Sequence, residues 1–112
     1  MRRITFFLLL VFLSFSLYGG VIYVAKYRSD ADVLIYRTKY RSDADLIVYV
    51  AEYKSDATGE DTIWFYTKYK SDANATIFFT KYRSDADLQV YFTKYKSDAE
   101  WKTSSRFRGI FK

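Results

Sequence analysis

Two kinds of residue recur along this 112-residue chain and could carry chemistry, paired aspartates and tyrosines flanked by basic residues, and a basic tail follows them. The pairs Asp30/Asp32, Asp43/Asp45 and Asp85/Asp87 each put two carboxylates in one short stretch. That suits Ca²⁺, which takes several oxygen ligands in flexible geometry. Three features weaken the reading: the second acid is replaced at Thr58, Asn74 and Glu100, no glycine follows as in known calcium loops, and basic residues sit beside every pair. The simpler expectation is that the first Asp of each unit (Asp30, Asp43, Asp56, Asp72, Asp85, Asp98) caps a turn and the second pairs with a Lys or Arg. A carboxylate pair can also drive glycoside hydrolysis, yet six near-equivalent copies do not single out one cleft. The chain has no histidine and no cysteine, which removes the commonest general base, thiolate nucleophiles and the usual transition-metal ligands. The expectation is a protein that is not an enzyme and has no cofactor and no metal site.

The tyrosines Tyr27, Tyr40, Tyr53, Tyr69, Tyr82 and Tyr95 follow one another at spacings of 13, 13, 16, 13 and 13 residues. A ring of this kind flanked by Lys or Arg can stack on a sugar or take part in cation–π contacts. One expectation is therefore a carbohydrate or cell-envelope surface as partner. The competing one is a structural role, with the six rings covering a second packing layer and fixing register. Exposure separates the two. The tail from Lys102 to Lys112, with Phe107, Ile110 and Phe111, reads either as a strand remnant or frayed terminus, or as a segment that touches an anionic surface.

Charge points away from nucleic acid once it is located. The net +5 comes from Arg2 and Arg3 in the leader and four cations after Trp101, whereas residues 19 to 101 carry twelve basic against thirteen acidic side chains. Interleaved signs do not form the one-signed face that phosphate binding needs.

These residues must be positioned by a short repeat. Residues 1–18 read as a cleaved signal peptide, with Arg2 and Arg3 before an apolar run and Ser14 and Ser16 as small residues near a cleavage point. The expected location is secreted or periplasmic, and a retained membrane anchor is the alternative. Residues 19–101 form one repeat domain, and residues 102–112 a basic tail. Each unit joins a β-branched and aromatic half, such as Leu46-Ile47-Val48-Tyr49-Val50-Ala51, to a polar half built on Lys54-Ser55-Asp56. The first half predicts a strand and the Ser-Asp pair a turn. Alternation places Leu88, Val90 and Phe92 on the core side, and Gln89, Tyr91, Thr93 and Tyr95 on the other. The three extra residues of one unit fall in the loop Thr58-Gly59-Glu60-Asp61. Thirteen residues are too few for a useful helix and a turn, so the fold class is all-β, with stacked units burying a common core. Partner and oligomeric state stay open, and strand edges rich in Tyr could pair into a homodimer.

At KYRSDAD (26–32, 39–45 and 81–87), KYKSDAN (68–74) and KYKSDAE (94–100) the chain resembles an uncharacterised bacterial family of small KYKSDAD-repeat β proteins with no assigned activity. It is also similar to small β proteins proposed to form a seven-crossing torus knot, the septafoil, in which two β segments wind round each other. The resemblance spans residues 21 to about 101 and implies an intertwined, knotted β structure. A short β-solenoid or β-sandwich is the alternative. The copy EYKSDAT (52–58) and the tail depart from the pattern, and no catalytic residues carry over.

Overall fold

The computed structural model describes residues 19–112, so the leader lies outside the described residues. Seven strands form in order: β1 (Val21–Val24), β2 (Val33–Arg37), β3 (Leu46–Val50), β4 (Ile63–Tyr66), β5 (Ala75–Phe79), β6 (Leu88–Thr93) and β7 (Glu100–Trp101). Each motif contributes one 3-10 turn, for example Arg28–Asp30, in which the Asp N–H donates to the Tyr carbonyl three residues back.

Strands β1 to β6 are all parallel and close into a barrel in the order β1-β5-β2-β6-β3-β4. The edge of β3 that meets β4 also receives β7, antiparallel, lower down. Two runs of chain, β1–β3 and β4–β6, therefore interleave like the two starts of a screw. The architecture is the intertwined one, and neither a solenoid nor a sandwich.

Parallel neighbours ordinarily need a crossover of a dozen or more residues. Here residues 25–32 suffice, because Val24 and Val33 both face Ile77 across the intervening β5. The new strand begins level with the end of the previous one and need only step over one strand, about 10 Å. Four such steps pass over a strand: the 28–30 turn packs on β5, the 41–43 turn on β6, the 83–85 turn on β2 and the 96–98 turn on β3. The motif is thus a strap laid across the barrel wall.

Register explains the core. Each strand is offset from its neighbour by about two residues, a total stagger of about twelve around six strands, which tilts the strands by about 55° from the barrel axis. Repeat-equivalent residues consequently return to the same level. Ile22, Ile77, Ile35, Val90, Val48 and Trp64 make the middle layer, and all six are fully buried. Below them lie Gly20, Ala75, Val33, Leu88, Leu46 and Thr62; above them lie Val24, Phe79, Arg37, Phe92, Val50 and Tyr66.

The lower layer is small on one side, at Thr62, Gly20 and Ala75, and the C-terminus fills the space. Phe111 is fully buried with its ring 4.9 Å from that of Trp64, and its carbonyl accepts from the Gly20 N–H. Gly20 has φ +74°, and a Cβ there would meet the Ile63 carbonyl at 2.1 Å, so no other residue fits. Asp61, in the inserted loop, holds the tail: its carboxylate accepts from Trp101 Nε1 and from the backbone N–H groups of Gly109 and Phe111. The tail is therefore neither frayed nor a strand, but a plug in one end of the barrel.

Candidate functional site

The strap needs three devices to hold its shape. A Thr two residues before the motif Tyr makes the first: Thr38, Thr67 and Thr93 accept from the Tyr40, Tyr69 and Tyr95 N–H groups through their hydroxyls. The second is the 3-10 turn itself. The third is the acid at the end of the motif. The Asp32 N–H donates to the Thr76 carbonyl at 2.8 Å, while its carboxylate accepts from the Thr76 N–H at 2.9 Å. The same two-bond ring joins Asp45 to Gln89, Asp87 to Leu34 and Asn74 to Val21. Asn serves as well as Asp because only an acceptor oxygen is required.

This exchanges the two roles expected from sequence. The second acid does not pair with a cation; it clamps backbone. The first Asp, instead of capping with its side chain, meets the guanidinium of the neighbouring strap: Arg28–Asp85 at 4.0 Å, Arg83–Asp43 at 3.5 Å and Arg41–Asp98 at 3.0 Å. None of the turns has a side-chain cap hydrogen bond. The reason is geometric: the second Asp sits where the strap rejoins the wall and faces an unpaired strand N–H, whereas the first sits at the outermost bend beside the next strap. In the pairs Asp43/Asp45 and Asp85/Asp87 the two carboxylates are thus committed to different partners rather than to one ion, and in Asp30/Asp32 the second is committed to backbone.

The motif tyrosines also differ from the packing expectation. Tyr27, Tyr40, Tyr53, Tyr69, Tyr82 and Tyr95 are each 66–68% exposed. A second aromatic layer does exist, but its rings come from the outward side of the strands, at Tyr23, Tyr36, Tyr49, Phe65, Phe78 and Tyr91, which are half covered by the straps. The guanidinium of Arg83 lies over Tyr36 at 5.7 Å and that of Arg41 over Tyr91 at 5.9 Å. The motif Tyr begins the strap just beyond this cover and projects outward. Because repeat-equivalent positions share a level, the six tyrosines form a ring around the barrel rather than a row.

Concave surface accompanies them. Arg41, Tyr91, Phe92, Thr93, Lys94, Tyr95 and Asp98 line a groove of about 380 Å³. Arg28, Phe78, Phe79, Thr80, Lys81, Tyr82 and Asp85 line a second, of about 280 Å³. The two are the same site displaced by one repeat, each with an exposed ring, a free-standing Lys, a hydroxyl and an Arg–Asp pair. Between them around the ring lies a third equivalent set at Tyr36, Thr38, Lys39, Tyr40, Asp43 and Arg83, tied by its own ion pair. Flat apolar rings with paired polar groups at their edges suit the alternating apolar faces and hydroxyl edges of a pyranose. A further concavity of about 380 Å³ lies at the plugged end, lined by Glu60, Asp61, Thr62, Trp101, Arg108, Gly109 and Lys112.

Sequence reasoning singled out the six tyrosines and six first aspartates, and the structure brings two of the latter, Asp85 and Asp98, into the grooves and a third, Asp43, into the equivalent set between them. It missed Arg37, Phe79 and Phe92. The guanidinium of Arg37 lies over those two rings, which touch edge to face, 5.5 Å and 4.9 Å from their centres, at the barrel end opposite the plug. A signal was present: aligned by repeat, the position reads Val24, Arg37, Val50, Tyr66, Phe79 and Phe92, with one charge among five uncharged residues.

A family model described as the 7(1) septoil knot domain matches residues 19–102. No curated protein matches the chain. No solved structure matches it either.

Proposed function

Because this chain belongs to the family of 7(1) septoil knot domains, a membership that brings no activity with it, we propose a function from its surface: a non-enzymatic, exported module that binds carbohydrate of the cell envelope through its ring of motif tyrosines. The observation that carries the reading is the uniform exposure of those six rings, 66–68% each. A large apolar ring left in water six times over has no packing duty, and isolated exposure by chance would not recur at one structural position. The Lys, Thr and Arg–Asp pairs beside the rings supply the hydrogen bonds that orient a sugar. Export rests on the leader, Arg2 and Arg3 followed by an apolar run. The absence of histidine and cysteine from the chain supports binding without turnover.

The test is affinity electrophoresis through gels containing cell-wall polysaccharides, comparing the natural protein with Tyr40→Ala, Tyr82→Ala and Tyr95→Ala. Each lost stacking contact is expected to weaken binding about three- to tenfold, corresponding to about 0.5–1.5 kcal/mol, with the melting temperature little changed because the rings are mostly exposed. Equal mobility of all variants in every gel would leave a scaffold role instead.

A further inference from the structure

The ring of straps is not uniform, and its departure from symmetry points to one side. All three Arg–Asp pairs among the described residues, Arg28–Asp85, Arg83–Asp43 and Arg41–Asp98, lie over three consecutive strands, β5, β2 and β6. Both well-formed grooves lie there too. At the centre of this half, on the middle strand, is Arg37. Its guanidinium sits over the touching rings of Phe79 and Phe92, and each of those rings also lines one groove. Arg37 is exposed and, unlike the three strap arginines, has no carboxylate partner among the described residues. Lys39, Lys81 and Lys94, beside the three motif tyrosines of this half, form no ion pair among the described residues either.

The two rings touch each other edge to face at 6.1 Å, and the exposed Arg37 side chain lies over the pair rather than being covered by it. A guanidinium presents parallel N–H donors matched to a carboxylate. Arg37 is the one charge in an otherwise uncharged layer, and no carboxylate among the described residues forms an ion pair with it. We propose that the β5–β2–β6 side is the specificity face and that it selects a carboxylate-bearing polysaccharide, a polyuronate, with Arg37 holding a uronate carboxylate in bidentate fashion while Tyr40, Tyr82 and Tyr95 stack on neighbouring sugars. The inference rests on the carbohydrate reading above and adds the chemical class of the sugar. Three equivalent sites side by side make binding dependent on polymer length, since a second contact on the same chain is intramolecular.

The experiment measures binding of the full chain to polygalacturonate, dextran and dextran sulfate by calorimetry, with Arg37→Gln and Arg37→Lys alongside. The expected result is tight binding to polygalacturonate alone, weakened at least tenfold by Arg37→Gln, and only partly restored by Arg37→Lys because an ammonium lacks the fork. Thermal melts of both variants establish that they fold. Binding to dextran as strong as to polygalacturonate, unaffected at Arg37, would overturn the acidic specificity and leave the carbohydrate reading standing. Dextran sulfate binding as well as polygalacturonate would reduce the face to a general polyanion surface and overturn the carboxylate selection. Binding to none of the polysaccharides would overturn both readings.

Discussion

At Asp45 one side chain joins two passes of the chain, its N–H and carboxylate forming a closed pair of hydrogen bonds with Gln89, forty-four residues away. A bond to an ionised acceptor contributes about 1.5–3 kcal/mol, and its removal strands a strand N–H under the strap. Asp45→Ala is therefore expected to destabilise by about 2 kcal/mol in urea melts, while Asp45→Asn, which keeps the oxygen as Asn74 does, costs less than half as much. Tyr66 offers a different test. Burial, opposed in part by the Arg37 cation, pushes its phenol up from 10.0 to about 12. Between those values the unfolded chain has lost the proton and the folded chain retains it, so stability falls as pH rises from about 10 to about 12. Tyr66→Phe is expected to remove that segment of slope from the plot of urea midpoint against pH.

Among the elements, the strands were legible and the straps were not. Period-two alternation identified Leu88, Val90 and Phe92 as one face, and the structure places all three toward the barrel interior. The Ser-Asp turns also appear where local backbone chemistry requires them. What sequence could not supply is which strand lies beneath each turn, since the partner of Asp45 comes from another repeat. Without that partner the two acids could not be told apart, and their roles came out exchanged. The tyrosines were similarly ambiguous: period two puts Tyr91 and Tyr95 on one side, but a strap covers the first and the second starts a strap. The tail was misread because its burial depends on a space left by Gly20, Thr62 and Ala75, far away in sequence. Phe111→Ala should empty that end of the barrel, costing about 3–5 kcal/mol, with proteolysis trimming the residues after Trp101 before the barrel opens.

For the whole molecule, one register rule accounts for fold and surface together. A stagger of about two residues per strand brings each new strand level with the last, so short straps suffice, four of them cross an intervening strand, and two runs become interlaced as the septoil knot family requires. The same rule returns equivalent residues to one level, which builds the three-layer core inside and the ring of tyrosines outside. Function would then follow from regularity, with Arg37 as the break that selects the ligand. The most direct measurement is a spectrum of the protein carrying ring-labelled tyrosine, recorded while polygalacturonate is added. The account predicts that Tyr40, Tyr82 and Tyr95 shift together and that Tyr23 and Tyr49, under the straps of the opposite half, stay fixed. If the motif resonances do not move while other tyrosines do, or if no tyrosine responds to any cell-wall polysaccharide, the exposed ring is not a binding surface.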